Sequence, residues 1–316
     1  MNVLVIGGTG HTGGFVVRGL VAQGHHVVCV SRGRTEPYLA GEFWKEVERV
    51  TLDRQEAETD GRLANLLADV QPVAVVDIVG FQPESAELLF ESLAGKVQHL
   101  VHIGTAWVHG AAEVVPTPES YRGVPLNDYA RKKLAMQDYY LARFTEERFP
   151  VTIVNPAQIT GAGKKCITPE GDNDVGYLEQ MRAGKEVPLP EYGRPLVQHV
   201  HPSDVARVIL LALENTGTAI GQVYNAGSTH AMTYRGLFNF LRAHFRSDCK
   251  ARLMSLEEYQ TAFGPNETVT QHMMQSTCVD IRKAADHLGY RPAYTARQAV
   301  AEAVDDLMKR KVIGKI

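Results

Sequence analysis

The chain has 316 residues, 44% of them hydrophobic and 22% charged, with a formal net charge of −3. This length can bury a full core, the composition argues against disorder, and the near-neutral charge excludes a general basic field for nucleic acid. No apolar run approaches the roughly 20 residues of a membrane helix, so we expect a cytoplasmic protein with no membrane partner. The cysteines are far apart and indicate reduced thiols: Cys29, Cys166, Cys249 and Cys278.

The first stretch of the chain runs from an apolar strand at 3–6 through a glycine-rich turn into a helix predicted at about 14–23. Gly7 would permit the tight turn, Gly10 the close approach of a pyrophosphate, and Gly13 close packing of the helix on the strand. The helix N-terminus would offer free N–H groups and its positive dipole end to an anion. The stretch therefore predicts a dinucleotide site. Its candidate cofactor-binding residues are Gly7, Thr9, Gly10, His11, Thr12 and Gly13.

A continuous apolar run at 25–30 predicts the second strand of a parallel sheet, and it ends at Ser31. A site that prefers NAD usually carries an acidic residue here, which binds the ribose 2′-hydroxyl. This chain has Arg32 and Arg34 instead, and a guanidinium can pair with a 2′-phosphate or stack on adenine. We therefore predict NADP as the cofactor, with NAD and a merely solvated arginine loop as the alternatives.

The next strands are predicted at 47–52 and 73–80, with a helix at 58–69 between them. Asp77 lies inside the second of these apolar runs, and a buried carboxylate needs hydrogen-bond partners. We favour a structural role for Asp77 over a functional one at the strand end. Gly80 would let the chain pass close to the nicotinamide end of a cofactor.

A fifth strand is predicted at 100–105 and ends in Thr105, and a long helix is predicted at 127–148. Tyr129 on that helix has a lysine four residues on, Lys133, and such residues share one face. The ammonium could lower the phenol pKa from its usual value of about 10, so that Tyr129 exchanges a proton during hydride transfer. Lys133 could also hold the ribose of the nicotinamide, and Thr105 could stabilise the substrate oxygen. The alternative is a helix face that pairs tyrosine with lysine for no catalytic reason.

These motifs together resemble the short-chain dehydrogenase/reductase superfamily, and the GGTG form of the turn resembles its extended and atypical branches. The resemblance places Thr105 at the family's serine or threonine position, before the turn at 108–110. It implies that Tyr129, Lys133 and Thr105 are catalytic. It also implies that Asp53, which follows the third strand, lies near the adenine.

The resemblance extends through the second half of the chain. The stretch at 151–161 is similar to the family's R-P-x-x-x-Y-G turn, with Asn155 in place of arginine and Thr160 in place of tyrosine. Pro156 would lie along the nicotinamide. Further similar segments are found at 201–206, 224–227 and 288–292, and at Asp280.

The departures from the family pattern bear on the substrate. Extended members that act on nucleotide sugars usually carry an arginine four residues before the histidine matched by His201, and this chain has Val197 there. Sugar 4,6-dehydratases carry an Asp-Glu pair directly after the position of Thr105. This chain has no acidic residue there. His199 and His201 alternate on a predicted strand without completing a ligand set, so we expect no metal.

We predict an α/β fold of the Rossmann type, a doubly wound parallel sheet with a smaller C-terminal substrate lobe. The dinucleotide-binding domain would comprise 1–156, with its sheet completed by about 197–228. The lobe would comprise mainly 157–196 and 229–316, including the C-terminal helices, and would lie over Tyr129.

The favoured function is NAD(P)-dependent hydride transfer between nicotinamide and a secondary alcohol or ketone, including sugar-like substrates. A sugar-nucleotide epimerase that keeps its NAD bound is the alternative. A third is a catalytically silent RNA-binding or regulatory relative, because the loop at 31–34 and the strand at 75–80 resemble relatives of the chloroplast stem-loop-binding protein. Since Tyr129 and Lys133 are retained, we expect a small-molecule substrate rather than nucleic acid, and we leave a homodimer open.

Overall fold

In the computed structural model, which describes residues 1–314, the chain forms a central sheet flanked by helices and a smaller lobe with its own core. In this described part the strands are β1 (Asn2–Ile6), β2 (His26–Ser31), β3 (Val47–Thr51), β4 (Ala74–Asp77), β5 (His99–Ile103), β6 (Val151–Pro156), β7 (Gln158–Ile159), β8 (Val187–Leu189), β9 (Leu196–Val197), β10 (His199–Val200), β11 (Val223–Ala226), β12 (Met232–Thr233) and β13 (Ala251–Leu253). The helices are α1 (Gly13–Ala22), α2 (Arg54–Thr59), α3 (Arg62–Val70), α4 (Pro83–Leu93), α5 (Asp128–Glu147), α6 (Val175–Arg182), α7 (Pro202–Glu214), α8 (Thr216–Ala219), α9 (Tyr234–His244), α10 (Leu256–Phe263), α11 (Glu267–Gln275), α12 (Arg282–Leu288) and α13 (Ala296–Lys309).

The central sheet has seven strands in the order β11-β6-β5-β4-β1-β2-β3, and all neighbouring pairs are parallel. The strand order reverses between β1 and β4, so the chain leaves these two strands in opposite directions. Such a switch point leaves a crevice at the carboxyl ends of the strands. The predicted doubly wound sheet is confirmed.

The sheet buries both of its faces, which explains the continuous apolar runs in its strands. Val3 and Val5 of β1 belong to a core that also contains apolar residues of α1 and α7. Leu4 and Ile6, which point to the other face, belong to a second core with residues of α3, α4 and α5. The two cores hold the helices in place on opposite sides of the sheet.

Several element boundaries differ from the sequence prediction. The helix expected at 58–69 is two helices, α2 and α3, because Gly61 between them has a left-handed backbone with φ of 81°. The stretch at 151–161, which resembles the family's sixth strand and the turn after it, contains β6 and a second short strand, β7, with Ala157 between them. Within 197–228 only β11 joins the central sheet, since β9 pairs with β12 and β10 pairs with β7.

The lobe has a core of its own, made from α6, β8, α9, α10, α11 and α13. The helix α12 lies outside that core, because Ala284 and Leu288 pack in the sheet core beside α7 and β11. Among the helices of residues 1–314, none is both long and apolar enough to cross a membrane.

The start of α1 generates the first prediction. A Cβ atom on Gly13 would lie 2.3 Å from the Gly7 carbonyl oxygen and 2.7 Å from the Gly8 Cα atom, and backbone atoms cannot move aside cheaply. We expect Gly13→Ala to lower the free energy of unfolding by about 1–3 kcal/mol, the usual cost of overpacking. Urea unfolding measures it.

The control is Gly217→Ala in α8, where a Cβ atom would meet no heavy atom within 4 Å. This variant should unfold at the wild-type urea concentration or slightly above it, since alanine favours a helix. Equal unfolding midpoints for Gly13→Ala and the wild type would contradict the packing argument.

Candidate active site

The glycine-rich turn is held by its own main-chain hydrogen bonds. Gly7 has φ of 89°, its N–H donates to the Val30 carbonyl at 2.9 Å, and its carbonyl accepts from the Gly10 N–H at 3.1 Å. A Cβ atom on Gly10 would meet only the Gly7 carbonyl oxygen, at 3.3 Å. The turn therefore brings β1 directly into α1 and leaves the side of Gly10 open.

A cavity of about 410 Å³ lies beside this turn, at the carboxyl ends of β1, β2, β3 and β4. Seven of the predicted cofactor-binding residues line it: Gly7, Thr9, Gly10, Ser31, Arg32, Arg34 and Asp53. Its volume is in the range of small-molecule pockets. The structure thus brings these residues of three separate strand ends together at one site.

The two predicted arginines of the cavity differ in their partners. Arg34 donates from Nη2 to Oδ2 of Asp53 at 3.1 Å, and Oδ1 of Asp53 accepts from the Gln55 N–H at 3.2 Å at the start of α2. Within residues 1–314, Arg32 forms no ion pair. Arg32 is therefore the cavity arginine whose guanidinium is free to meet a ligand.

The other predicted residues of the first turn have different surroundings. His11 is buried, its Nε2 lies 3.3 Å from the Ala162 carbonyl, and its ring meets the Tyr38 ring edge-on at 4.4 Å. Burial lowers the His11 pKa to about 3, so the imidazole is neutral. Thr12 is buried at the residue before α1. These two residues contribute to packing around the turn and do not line the cavity.

Tyr129 and Thr105 meet at the carboxyl end of β5. Thr105 follows that strand, and Tyr129 lies in the first turn of α5, which is capped by the Asn127 side chain accepting from the Ala130 N–H at 2.8 Å. Partial burial raises the pKa of the Tyr129 phenol, and interaction with the Thr105 hydroxyl opposes this rise. The phenol is therefore protonated at neutral pH, and Tyr129 as a residue remains 43% exposed.

Lys133 is almost completely buried, and its ammonium donates to the main-chain carbonyl of Ile103. Burial lowers the Lys133 pKa to about 8, against the opposing charge of Asp77. The expectation that Lys133 lowers the pKa of Tyr129 is wrong for this structure, since that pKa is raised. The reason is that the Ile103 carbonyl holds the ammonium at the strand end and not at the phenol.

Phe81 is a site residue that the sequence interpretation missed. Its ring lines the cavity, lies 5.2 Å from the Lys133 ammonium, and has its centre 6.4 Å from that of the Tyr129 ring. Phe81 therefore marks the boundary between the cavity and the Tyr129–Lys133 pair. The available signal was a large apolar residue directly after Gly80, at the end of an apolar run.

A buried amide fixes the main chain of Thr105. Asn155 accepts from the Thr105 N–H at 3.0 Å and donates to the Gln137 side chain at 2.9 Å. Gly104 leaves the room for this amide, because a Cβ atom there would lie 2.0 Å from Oδ1 of Asn155. The sequence singled out Asn155 only as a departure from the family pattern, and the structure shows its contact with the site.

Gly80 follows β4 and Pro156 ends β6, the two strands on either side of β5. A Cβ atom on Gly80 would be 2.5 Å from Oδ2 of Asp77, so the close approach at Gly80 is to this carboxylate. Asp77 is fully buried and accepts hydrogen bonds from Arg54 and from Nδ1 of His102, the latter at 3.0 Å. The buried carboxylate therefore has the partners that a structural role requires. Pro156 is buried at the end of β6 and pairs with Ala226 of β11.

The positions that bear on metal and anion binding lie in the lobe and beneath it. Val197 is buried in the lobe core. His199 Nδ1 lies 2.8 Å from the Thr160 hydroxyl, and His201 Nε2 lies 3.2 Å from a Glu302 carboxylate oxygen. In residues 1–314 no three histidine, cysteine, aspartate or glutamate side chains are grouped to hold a metal ion.

The sheet order, the glycine-rich turn and the cavity at the switch point define a dinucleotide-binding protein of the Rossmann type. The sequence model of the NAD dependent epimerase/dehydratase family matches residues 3–227, and the chain belongs to this family. The predicted resemblance is thereby confirmed.

Among curated proteins, the chain is 28% identical over 238 residues to 2′-dehydrokanamycin reductase of Streptomyces kanamyceticus. The aligned region covers 75% of this chain and 65% of the reductase. It is 26% identical over 247 residues to the chloroplast stem-loop binding protein of 41 kDa b of Arabidopsis thaliana, covering 75% of this chain and 61% of that protein. The chain thus spans less than two thirds of either relative.

Among solved structures, the UDP-glucose 4-epimerase of Thermotoga maritima with UDP-glucose superposes with a TM-score of 0.77 at 21% identity. The match covers 98% of this chain and 99% of the epimerase. At this identity the likeness shows that the two proteins share the fold.

The Asn155 contact generates a prediction about the site. Asn155→Leu keeps most of the side-chain volume but leaves the Thr105 N–H and the Gln137 amide without this partner. A buried polar group left unsatisfied costs about 1–3 kcal/mol, so we expect unfolding at a clearly lower urea concentration. Asn65→Leu on the exposed side of α3 is the control and should leave the midpoint unchanged. Equal midpoints for the two variants would refute the role assigned to Asn155.

Proposed function

We propose that the chain is an NAD(P)-dependent oxidoreductase that transfers a hydride between nicotinamide and a secondary alcohol or ketone, including sugar-like substrates. The observation that carries this proposal is the partly exposed Tyr129 side chain beside Thr105, at the strand end next to the cavity. A protonated and partly exposed phenol is suited to donate a proton to a carbonyl oxygen as that oxygen gains charge.

The residues of the cavity fit a dinucleotide. Close packing around Gly13 and the open side of Gly10 leave main-chain N–H groups at the start of α1 for a pyrophosphate. Arg32 and Ser31 would bind the ribose end, with Asp53 beside them. The nicotinamide cofactor, when bound, supplies or accepts the hydride.

Tyr129, Thr105 and Lys133 would each have a separate role in the reaction. In the reducing direction the carbonyl carbon gains the hydride, and the Tyr129 phenol gives its proton to the oxygen, which becomes the alcohol. The Thr105 hydroxyl would donate a hydrogen bond to the same oxygen and stabilise its developing charge. Lys133, which carries a positive charge below its pKa of about 8, would hold the ribose hydroxyls of a bound cofactor. Its charge favours the phenolate that Tyr129 becomes, until the phenolate takes up a proton from solvent.

A nucleotide-sugar epimerase needs a remote anchor that holds its substrate while the oxidised intermediate turns over. Family members that act on nucleotide sugars usually carry an arginine at the position of Val197, which is buried in the lobe core here. The absence of that arginine favours net hydride transfer over epimerisation. The similarity to 2′-dehydrokanamycin reductase also supports a reductase. A nucleotide-sugar epimerase is the second candidate, supported by the shared fold with the UDP-glucose 4-epimerase. The retained Tyr129 and Lys133 argue against a silent RNA-binding role, despite the similarity to the plant stem-loop binding protein.

The test of the reaction mixes the protein with NADPH and a panel of small ketones, keto sugars and UDP-sugars. We expect loss of the reduced-nicotinamide absorbance in proportion to the alcohol formed. Tyr129→Phe removes only the hydroxyl and should abolish turnover while leaving cofactor affinity and melting temperature nearly unchanged. Tyr139→Phe, on the same helix at the Phe90 and Tyr140 rings, is the matched control and should keep turnover.

Two outcomes would overturn this assignment. Unchanged turnover in Tyr129→Phe would exclude the phenol as proton donor. Purified protein that holds NAD tightly and interconverts two UDP-sugars without net cofactor change would establish the epimerase instead.

The cofactor preference gives a separate prediction. We propose NADP over NAD by a few kcal/mol at most, the scale of one or two charge-assisted contacts. Arg32→Ala should reduce the ratio of NADP to NAD affinity more than Arg34→Ala, because Arg34 is paired with Asp53. Asp53→Asn should increase that ratio, since it frees Arg34 and retains an oxygen to cap α2.

Dissociation constants from nicotinamide fluorescence or calorimetry decide the cofactor preference. Arg297→Ala on α13 is the control for loss of one positive charge far from the cavity. An affinity ratio that Arg32→Ala leaves unchanged would show that this arginine does not read the 2′-phosphate.

A further inference from the structure

A buried charged cluster lies beneath the proposed catalytic lysine and is not used by the reaction as described above. Its members are Arg54 at the start of α2, Asp77 at the end of β4, and His102 in β5. Asp77 and His102 are fully buried, and Arg54 is more than nine-tenths buried. The inference drawn from this cluster concerns Lys133 and rests on the proposed function.

The cluster is held rigidly around the Asp77 carboxylate. Asp77 and His102 are directly opposite each other in the β4–β5 register, and Nδ1 of His102 lies 3.0 Å from Oδ2 of Asp77. Arg54 donates from Nη1 to Oδ1 of Asp77 and from Nε to Glu58 at 2.6 Å. Both carboxylate oxygens are therefore occupied, and the carboxylate cannot rotate away.

The same cluster adjoins the turn of α5 that carries Lys133. The Ile103 carbonyl that accepts from Lys133 belongs to the residue after His102. A Cβ atom on Gly80 would lie 2.5 Å from Oδ2 of Asp77 and 2.9 Å from Cε of Met136, which is three residues beyond Lys133. Asp77 thus lies between the strand ends and α5, close to the ammonium.

Two fixed charges of opposite sign act on Lys133 from this cluster. Burial disfavours the ammonium, the Asp77 carboxylate favours it, and the Arg54 guanidinium disfavours it. Burial alone would raise the Asp77 pKa, but Arg54 and His102 outweigh this effect and keep the carboxylate ionised. His102 is neutral, because burial lowers its pKa to about 4, and Tyr129 and Tyr140 on α5 are neutral phenols. Asp77 is therefore the anion that compensates the buried ammonium.

We propose that Asp77 is a positioning residue for the reaction, which keeps Lys133 charged at the strand ends, and that Arg54 opposes it, so that the two set the pH range in which Lys133 acts. A cluster that only stabilised the fold would make no distinction between its acid and its base. If the two charges act on Lys133, removing the Asp77 carboxylate lowers the Lys133 pKa and removing the Arg54 guanidinium raises it.

The test titrates Lys133 directly. Protein labelled with ¹³C at lysine Cε is followed by NMR against pH, and the Lys133 signal is identified by its loss in Lys133→Met. We expect Asp77→Asn to lower the titration midpoint of Lys133 and Arg54→Met to raise it, each by about one pH unit, the scale that a neighbouring charge produces. Asp128→Asn is the control, since this exposed carboxylate pairs with Lys132 and should leave the midpoint unchanged.

The reaction provides a second readout. With cofactor and carbonyl substrate saturating, the alkaline limb of the kcat profile should move with the NMR midpoint, down in Asp77→Asn and up in Arg54→Met. If Asp77→Asn does not fold, as its circular dichroism would show, Arg54→Met alone decides the direction.

Two results would overturn the proposal: a wild-type midpoint in both variants, or shifts of the same sign. An alkaline limb that stays in place while the midpoint moves would also refute a role in the reaction. Absence of turnover in the wild type would count against the proposed function, and the NMR titration would still decide the role of Asp77.

Discussion

The close contact between the two ends of the glycine-rich turn is the constraint on which the site depends. The Gly7 carbonyl accepts from Gly10 and lies only 2.3 Å from the place a Cβ atom on Gly13 would take, so α1 begins directly on β1. This arrangement puts the N–H groups of the helix at the switch point, where the chain leaves β1 and β4 in opposite directions.

The other half of the site is built from polar groups buried at the ends of adjacent strands. Asn155 at the end of β6 holds the main chain of Thr105 after β5, and Asp77 at the end of β4 is bonded to His102. Buried polar groups persist only where their hydrogen bonds are satisfied. The same bonds that satisfy these groups set the relative positions of Thr105 and Lys133, so stability and site geometry have one origin here.

The cavity and the proposed catalytic residues are neighbours that meet at Phe81. The lobe has a separate core of its own. Family membership defines the chemistry that such a site can carry, and the side chains around Tyr129 define how it is used.

The sequence alone determined the sheet strands, the glycine-rich turn and the Tyr129–Lys133 helix, because strand burial, φ constraints and helical spacing are local properties of consecutive residues. Only the tertiary structure decided which groups meet: Arg34 with Asp53, Asn155 with Thr105, and Lys133 with Ile103 instead of Tyr129. The helix break at Gly61 and the pairing of β9 and β10 outside the main sheet were also decided there. Contacts between residues far apart in the chain depend on packing, and a pKa depends on burial and on every nearby charge, none of which the spacing of motifs specifies.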